Sequence, residues 1–319
     1  ADLDAGSITN VAFTSDGTTT SPPDTVTVTI PTKPYNPTAP AECFSIFVED
    51  NVTVSGGSTQ GSLAVGGDLT IDGNYGVASQ DCGCFDVNGN KLGLLIAGQV
   101  NYNNGVFNIA NETQYAQIGQ SNGSNAWYAD PLNAPTPIRV TPGSDYNANS
   151  YIQLMGNAAA FNASTSNNPV FEADVLDFSL AFQRLRTNST SLSENSNNVQ
   201  VRDASGNPIL NTGLPAVIQI DLQNGNNYLN LTGADLNNAN SITFNQLPDA
   251  SRTLIINIDA SGTFNWDVWT QNNVALAQSP YILYNFYNTT DLQVVGNKSF
   301  TGTLLAPFAD ITKTVNTAN

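Results

Sequence analysis

The chain contains no histidine, and that absence decides most of what its side chains can do. Without imidazole there is no Ser-His-Asp or Cys-His nucleophile and no imidazole metal site. Carboxylates, tyrosines, nine basic side chains and three cysteines remain. Sugar-cleaving enzymes work with paired carboxylates around the scissile bond. The acids here are scattered, as at Asp249, Asp259, Asp267 and Asp291, with almost no basic residue nearby, and they read as solvated turns. No catalytic residue is assigned. The segment Asp86-Val87-Asn88-Gly89-Asn90 sets oxygens of Asp86, Asn88 and Asn90 at alternate positions, like the start of a calcium loop. It lacks the distant bidentate glutamate, so an Asn-Gly turn is the simpler reading, and neither metal nor cofactor is expected. Cys82 and Cys84 are separated by one glycine, too close to bridge each other easily. The expected disulfide therefore joins Cys43 to Cys82 or Cys84 and leaves one thiol over, with three reduced cysteines as the alternative. Aromatic residues could stack on sugar rings. Alternation puts Phe264, Trp266 and Val268 on one face as core, and leaves Trp269 and Tyr287 as candidates for exposed contacts.

The composition sets the partners. Over 319 residues the formal net charge is -17 at pH 7, with 11% of residues charged, where roughly 25% is usual. A polyanion does not neutralise phosphates, so nucleic acid is excluded as a partner. Hydrophobic residues make up 40% and mean hydropathy is -0.17, enough apolar material for a core. No run approaches the roughly 18 apolar residues of a spanning helix, so membrane insertion is not expected. Solvation falls to Asn, Ser, Thr, Gln and Gly, with 43 asparagines, the mark of many tight turns and short strands. The chain begins with Ala-Asp and reads as a processed, exported product, extracellular or at the cell surface.

Elements follow from patterning. Residues 1–40 form an extended, proline-punctuated arm with one alternating stretch, Thr25, Val26, Thr27, Val28, Thr29 and Ile30. Such a strand must join a sheet edge, either its own domain's or a neighbouring subunit's, and the second option would make it an assembly strand. Residues 41–319 have a different texture. Short apolar runs such as Phe44–Val48, Leu63–Val65 and Leu92–Ala97 are divided by Gly-Gly and Asp-Gly-Asn turns. This is the rhythm of a β-solenoid with unequal coils. Residues 110–168 hold few apolar runs and many turn formers, and read as a large excursion covering one end. After Pro169 the spacing Phe171, Val175, Phe178, Phe182, Leu185 predicts an amphipathic helix over about 170–193, packed along the solenoid. Strands resume, and the unbroken run Leu254–Ile258 predicts a parallel strand buried on both faces, one of them under the helix.

Three segments carry a resemblance. Phe44–Val48, Asn51–Val54 and Gly61–Ile71 together resemble the opening of the ice-binding-like adhesive domain of the bacterial surface proteins called choice-of-anchor A. Leu94–Asn101 is similar to that family's next glycine-terminated strand, and Ser299–Ile311 to its closing strand. The resemblance covers about residues 42–312. It implies a mainly β fold, a right-handed β-solenoid with one long helix alongside, displayed outside the cell, and it supplies no catalytic set. Thr-x-Thr occurs at Thr25–Thr29, Thr301–Thr303 and Thr312–Thr314, without the steady coil spacing that ice binding needs. The expected function is a non-enzymatic adhesive or structural surface protein, self-associating into a fibre or surface layer through the 25–30 strand. The alternative is a monomeric adhesin binding an extracellular glycan or protein, ahead of ice binding or a polysaccharide-active enzyme.

Overall fold

A computed structural model describes residues 7–12, 18, 24–29, 36–80 and 84–313. The chain divides into two compact units, Ala1–Ala39 and Pro40–Asn319. In the first, strands β1 (Ser7–Ala12) and β2 (Asp24–Thr29) pair antiparallel, with Ile8 opposite Val28 and Asn10 opposite Val26. The expected strand 25–30 thus finds a neighbour in its own arm; Ile30 lies outside the described residues.

The second unit is mainly β and starts with short strands laid down in threes. β3 (Ile46–Val48), β4 (Val52–Val54) and β5 (Gly57–Ser58) are followed by β6 (Leu63–Val65), β7 (Leu69–Asp72) and β8 (Tyr75–Val77). After the short β9 (Asp86–Val87) come β10 (Asn90–Ile96), β11 (Val100–Asn104) and β12 (Val106–Ile109). Each set adds one parallel strand to each of three sheets: β3, β6 and β10; β4, β7 and β11; β5, β8 and β12. In-register neighbours therefore share a face. Leu63 pairs with Leu94, and Ile71 with Tyr102. Glycines make the corners possible. A Cβ at Gly66 would land on the carbonyl oxygen of Glu49 and lie 2.9 Å from Phe178 Cδ1, so stacked corners tolerate no side chain there.

The stretch 110–168, expected as an excursion poor in strands, contains four. β13 (Gln114–Ile118) joins β10 in parallel, and β16 (Tyr151–Asn157) joins β12. Between them β14 (Ser124–Trp127) and β15 (Pro137–Pro142) turn back antiparallel onto β16. Buried polar residues conceal these strands in the sequence. Gln117 is 1% exposed, and its Nε2 donates to Pro169 O at 2.9 Å.

The helix α1 spans Phe178–Ser193, so its start near residue 170 is corrected. Asp177 caps it, its carboxylate accepting from Leu180 N–H at 2.9 Å. Before the cap, Asp174 sits at φ 57° and Phe171 bridges to Ile118 as extended chain. Val175 and Leu176 still pack on the core, from a loop. This is why the apolar spacing ran past the helix.

After α1 come β17 (Gln200–Arg202), β18 (Pro208–Ile209), β19 (Val217–Asp221), β20 (Gly225–Thr232) and the short α2 (Gly233–Asn238). Then follow β21 (Ser241–Phe244), β22 (Arg252–Asp259), β23 (Gly262–Asp267), β24 (Thr270–Asn272), β25 (Ile282–Phe286), β26 (Thr289–Val295), β27 (Thr303–Leu305) and β28 (Asp310–Lys313). Parallel pairing again builds three columns: β19, β21 and β24; β20, β22, β25 and β27; β23, β26 and β28. β22 is buried on both faces. Leu254, Ile256 and Ile258 face a core of their own column set, while Ile255 joins the core beneath α1.

Helix α1 ties the two column sets together. Its first turns stack Phe178 and Phe182 on Phe47, with centroids 5.1 and 5.4 Å apart. Its last turns contact β22 and β25. Between them Arg186 pairs with the Glu49 carboxylate and donates to Pro307 O at 3.0 Å.

Candidate functional site

Each residue singled out in the sequence has a definite place. Cys43 is bonded to Cys84 with their Cα atoms 4.8 Å apart, and Cys82 lies outside the described residues. Asp86, Asn88 and Asn90 form a two-residue hairpin turn between β9 and β10. Asn88 and Gly89 take positive φ values of 53° and 85°, as the tight hairpin turn requires. Asp86 Oδ1 accepts from Gly89 N–H at 2.8 Å, and the Asn90 amide donates to Phe161 O at 3.1 Å. Asp86 thus holds the turn, and Asn90 ties the following strand to the chain at Phe161. Among the described residues no group of three or more His, Cys, Asp or Glu side chains could hold a metal ion.

Trp266 is fully buried, and so is Trp269 at 0% exposure. The expectation of an exposed contact at Trp269 is corrected. β23 ends at Asp267, so alternation stops applying two residues before Trp269, where the chain turns the corner. The indole then points inward and donates to the Tyr284 hydroxyl at 3.0 Å. Burial pushes the Tyr284 hydroxyl well above the usual tyrosine range. Tyr287 stays half-buried at the surface, its pKa raised by burial and then by the nearby Asp259 charge.

The outward positions of the columns are mainly uncharged and polar. Thr53, Thr70 and Asn101 stand in register on β4, β7 and β11. Gln219, Thr243 and Asn272 do so on β19, β21 and β24, and Asn265, Gln293 and Thr312 on β23, β26 and β28. Cross-strand bonds fix them. Asn272 Nδ2 donates to Ser241 Oγ at 2.8 Å and to Thr243 Oγ1 at 3.1 Å. Threonine does not stack on threonine at the chain's end: Thr303 pairs with Leu283 and Thr312 with Gln293. Thr314 lies outside the described residues.

One cluster that sequence reasoning missed lies on the antiparallel β14–β15–β16 sheet. Trp127 stands opposite Arg139, and Arg139 opposite Gln153. The intervening Ile138, Val140, Ile152 and Leu154 are all 0% exposed, so the first three side chains face outward. The Arg139 guanidinium lies 4.5 Å from the Tyr146 ring centroid and 4.2 Å from that of Tyr151. Trp127 meets Tyr146 edge-on at 5.4 Å. The alternation at Ile138–Thr141 and Tyr151–Met155 was the available signal, masked by the prolines and glycine between.

The family described as "Putative Ice-binding-like adhesive domain" matches residues 37–319 of the chain. No curated protein and no solved structure matches it.

Proposed function

The chain belongs to the ice-binding-like adhesive domain family, and on that footing we propose that it is a non-enzymatic adhesin acting outside the cell. The observation that carries the reading is the family match over residues 37–319. The in-register columns of Thr, Asn and Gln side chains support it: such a surface meets a partner with little charge to desolvate. The two column sets are read as coils of a right-handed β-solenoid, because parallel crossovers take that hand almost without exception. Kinship with choice-of-anchor A surface proteins, export and display at the surface belong to the same proposal. Its partner is an extracellular glycan or protein, with neither nucleic acid nor membrane insertion involved. No helix of the described residues is long and apolar enough to cross a membrane.

The test immobilises the full chain on beads and offers it arrayed glycans and extracellular matrix proteins. Saturable retention with no released product is the expected result. Absence of retention on every surface overturns the adhesive reading, and polysaccharide cleavage overturns the non-enzymatic one.

A second reading makes the chain a subunit of a fibre or surface layer. It is favoured by the β1–β2 pair, a two-stranded sheet of a kind that is marginal alone and gains by adding strands. Deleting residues 1–40 decides it. Loss of polymers with the second unit folded supports assembly through the arm, and unchanged monomeric behaviour of both forms removes it.

A further inference from the structure

We propose that Trp127, Arg139, Tyr146 and Tyr151 form a carbohydrate-binding platform for neutral hexopyranose units. The proposal rests on the adhesive reading and names the ligand of one site.

The first argument is placement. Of three tryptophans, Trp266 and Trp269 are 0% exposed, while Trp127 stands partly exposed on the outer face of a sheet. Its neighbours on that face extend the surface in register, from Arg139 to Gln153 and from Gln153 to Asn108 on the adjoining β12. Met155, two positions beyond Gln153 on the same face, is 50% exposed. Rings, an aliphatic side chain and two amides thus share one outward patch.

The second is preorganisation. Arg139 donates to Tyr146 O at 2.9 Å and to Gln153 Oε1 at 3.2 and 3.3 Å. It is held between two tyrosine rings, so it fixes the loop carrying Tyr146 onto the strand carrying Tyr151. Trp127 is fixed as well, its Nε1–H donating to Thr141 Oγ1 at 2.8 Å. Rings locked before binding lose little conformational freedom on contact.

The third is chemistry. Aromatic faces are apolar and polarisable, and the C–H face of a pyranose ring is their natural partner. The Asn108 amide matches hydroxyl groups around it, while the Gln153 amide is engaged by Arg139, Ile138 O and Leu154 O and holds the patch in place. The charge of Arg139 is already taken up by the rings, a carbonyl and an amide oxygen, leaving little to attract an anion. A chain of formal net charge -17 also repels acidic polysaccharides. Neutral hexoses remain.

The burial of the other two tryptophans makes tryptophan emission a local reporter. The full chain is titrated with a soluble β-glucan, a galactomannan and an α-glucan, and with alginate as the acidic control. The expected result is a saturable change in emission and retarded mobility in gels containing at least one neutral polymer, with neither for alginate. Trp127→Phe keeps the retardation and loses the emission change. Trp127→Ala and Tyr151→Ala each weaken retardation at least tenfold with the thermal midpoint held. Should Trp127→Ala disturb the sheet, Tyr151→Ala carries the comparison. The platform is overturned if no neutral polymer binds, if alginate or a protein alone binds, or if binding survives these variants. When the variants still adhere in the bead assay, the platform fails and the adhesive reading stands. A wild-type chain that adheres to nothing removes the reading itself.

Discussion

Asn285 has no accessible surface, yet it carries an amide into the interior. Its Nδ2 donates to Ser189 O at 2.8 Å and to Asn257 Oδ1 at 2.9 Å, and its Oδ1 accepts from Ser189 Oγ at 2.5 Å. Asn257 in turn donates to Leu192 O and to Asn230 Oδ1, both at 2.9 Å. Asn230, Asn257 and Asn285 stand in register on β20, β22 and β25, so the ladder is one amide per strand, bonded to the last turns of α1. Removing a rung leaves buried partners unpaired at about 1–3 kcal/mol each. Asn285→Ala is expected to lose about 3 kcal/mol in urea unfolding with an unchanged slope. Asn285→Leu fills the space and still strands the same groups, so it should recover little. Full recovery by leucine would mean that volume, and no amide pairing, matters there. The disulfide is a second residue-scale case. Cys43 and Cys84 close a separation of 41 residues, for which loop entropy gives about 4 kcal/mol. Cys43→Ser should lower the thermal midpoint by several degrees, and a midpoint equal to that of the wild type would contradict this.

Elements depend on what happens at their ends. The Asp177 cap gives α1 its start, and losing such a cap costs about 1 kcal/mol. Asp177→Ala should lose that amount in urea unfolding while Asp177→Ser retains most of it. An equal loss in both would assign the effect to charge at the helix terminus instead of the hydrogen bond. Gly66→Ala should cost more than either, because its Cβ meets the Glu49 carbonyl and the Phe178 ring at one corner. These end effects also explain what the sequence could and could not reveal. Leu63–Val65 and Leu254–Ile258 were legible as strands because apolar period and glycine turns agreed. The start of α1 was hidden because Phe171 and Val175 keep the helical spacing while the backbone at Asp174 leaves it. Gln114 and Gln117 on β13 are buried polar residues, which no period flags as core. Trp269 was misplaced because alternation was carried past the end of β23. Trp127, Arg139 and Tyr151 meet through the pairing of three consecutive strands, whose alternation is masked by the prolines and glycine between them.

At the scale of the whole molecule, the missing histidine and the excess of carboxylates fix the response to pH. With no imidazole, no side chain of ordinary pKa titrates near neutrality, so the thermal midpoint should be nearly flat from about pH 6 to 9. On the acid side two effects oppose each other. Protonating carboxylates relieves the repulsion of a chain at -17. However, Asp249 is held well below the ordinary range by its bonds to Arg252 and Ser251, and Asp203 is lowered by bonds to Asn207. Carboxylates with depressed folded pKa values contribute stability that is present above their unfolded value and lost as pH falls through the folded one. Relief of repulsion should therefore dominate between about pH 6 and 4 and loss of these pairs below about pH 4, giving a shallow maximum on the acid side of neutrality. The alkaline limb belongs to tyrosines. Burial pushes Tyr102 up to about 12, against a hydrogen bond to Ser124, and raises Tyr115 and Tyr284 further. A raised folded pKa contributes stability that is complete below the unfolded value of about 10 and lost as pH rises through the folded one. Unfolding and tyrosinate absorbance should then rise together in one cooperative step above about pH 10. Tyr284→Phe should move that step to higher pH by removing one buried ionisation, at the expense of the Trp269 hydrogen bond. Ionisation of Tyr115 and Tyr284 at ordinary tyrosine values with the fold intact would show that these hydroxyls meet solvent, against their burial.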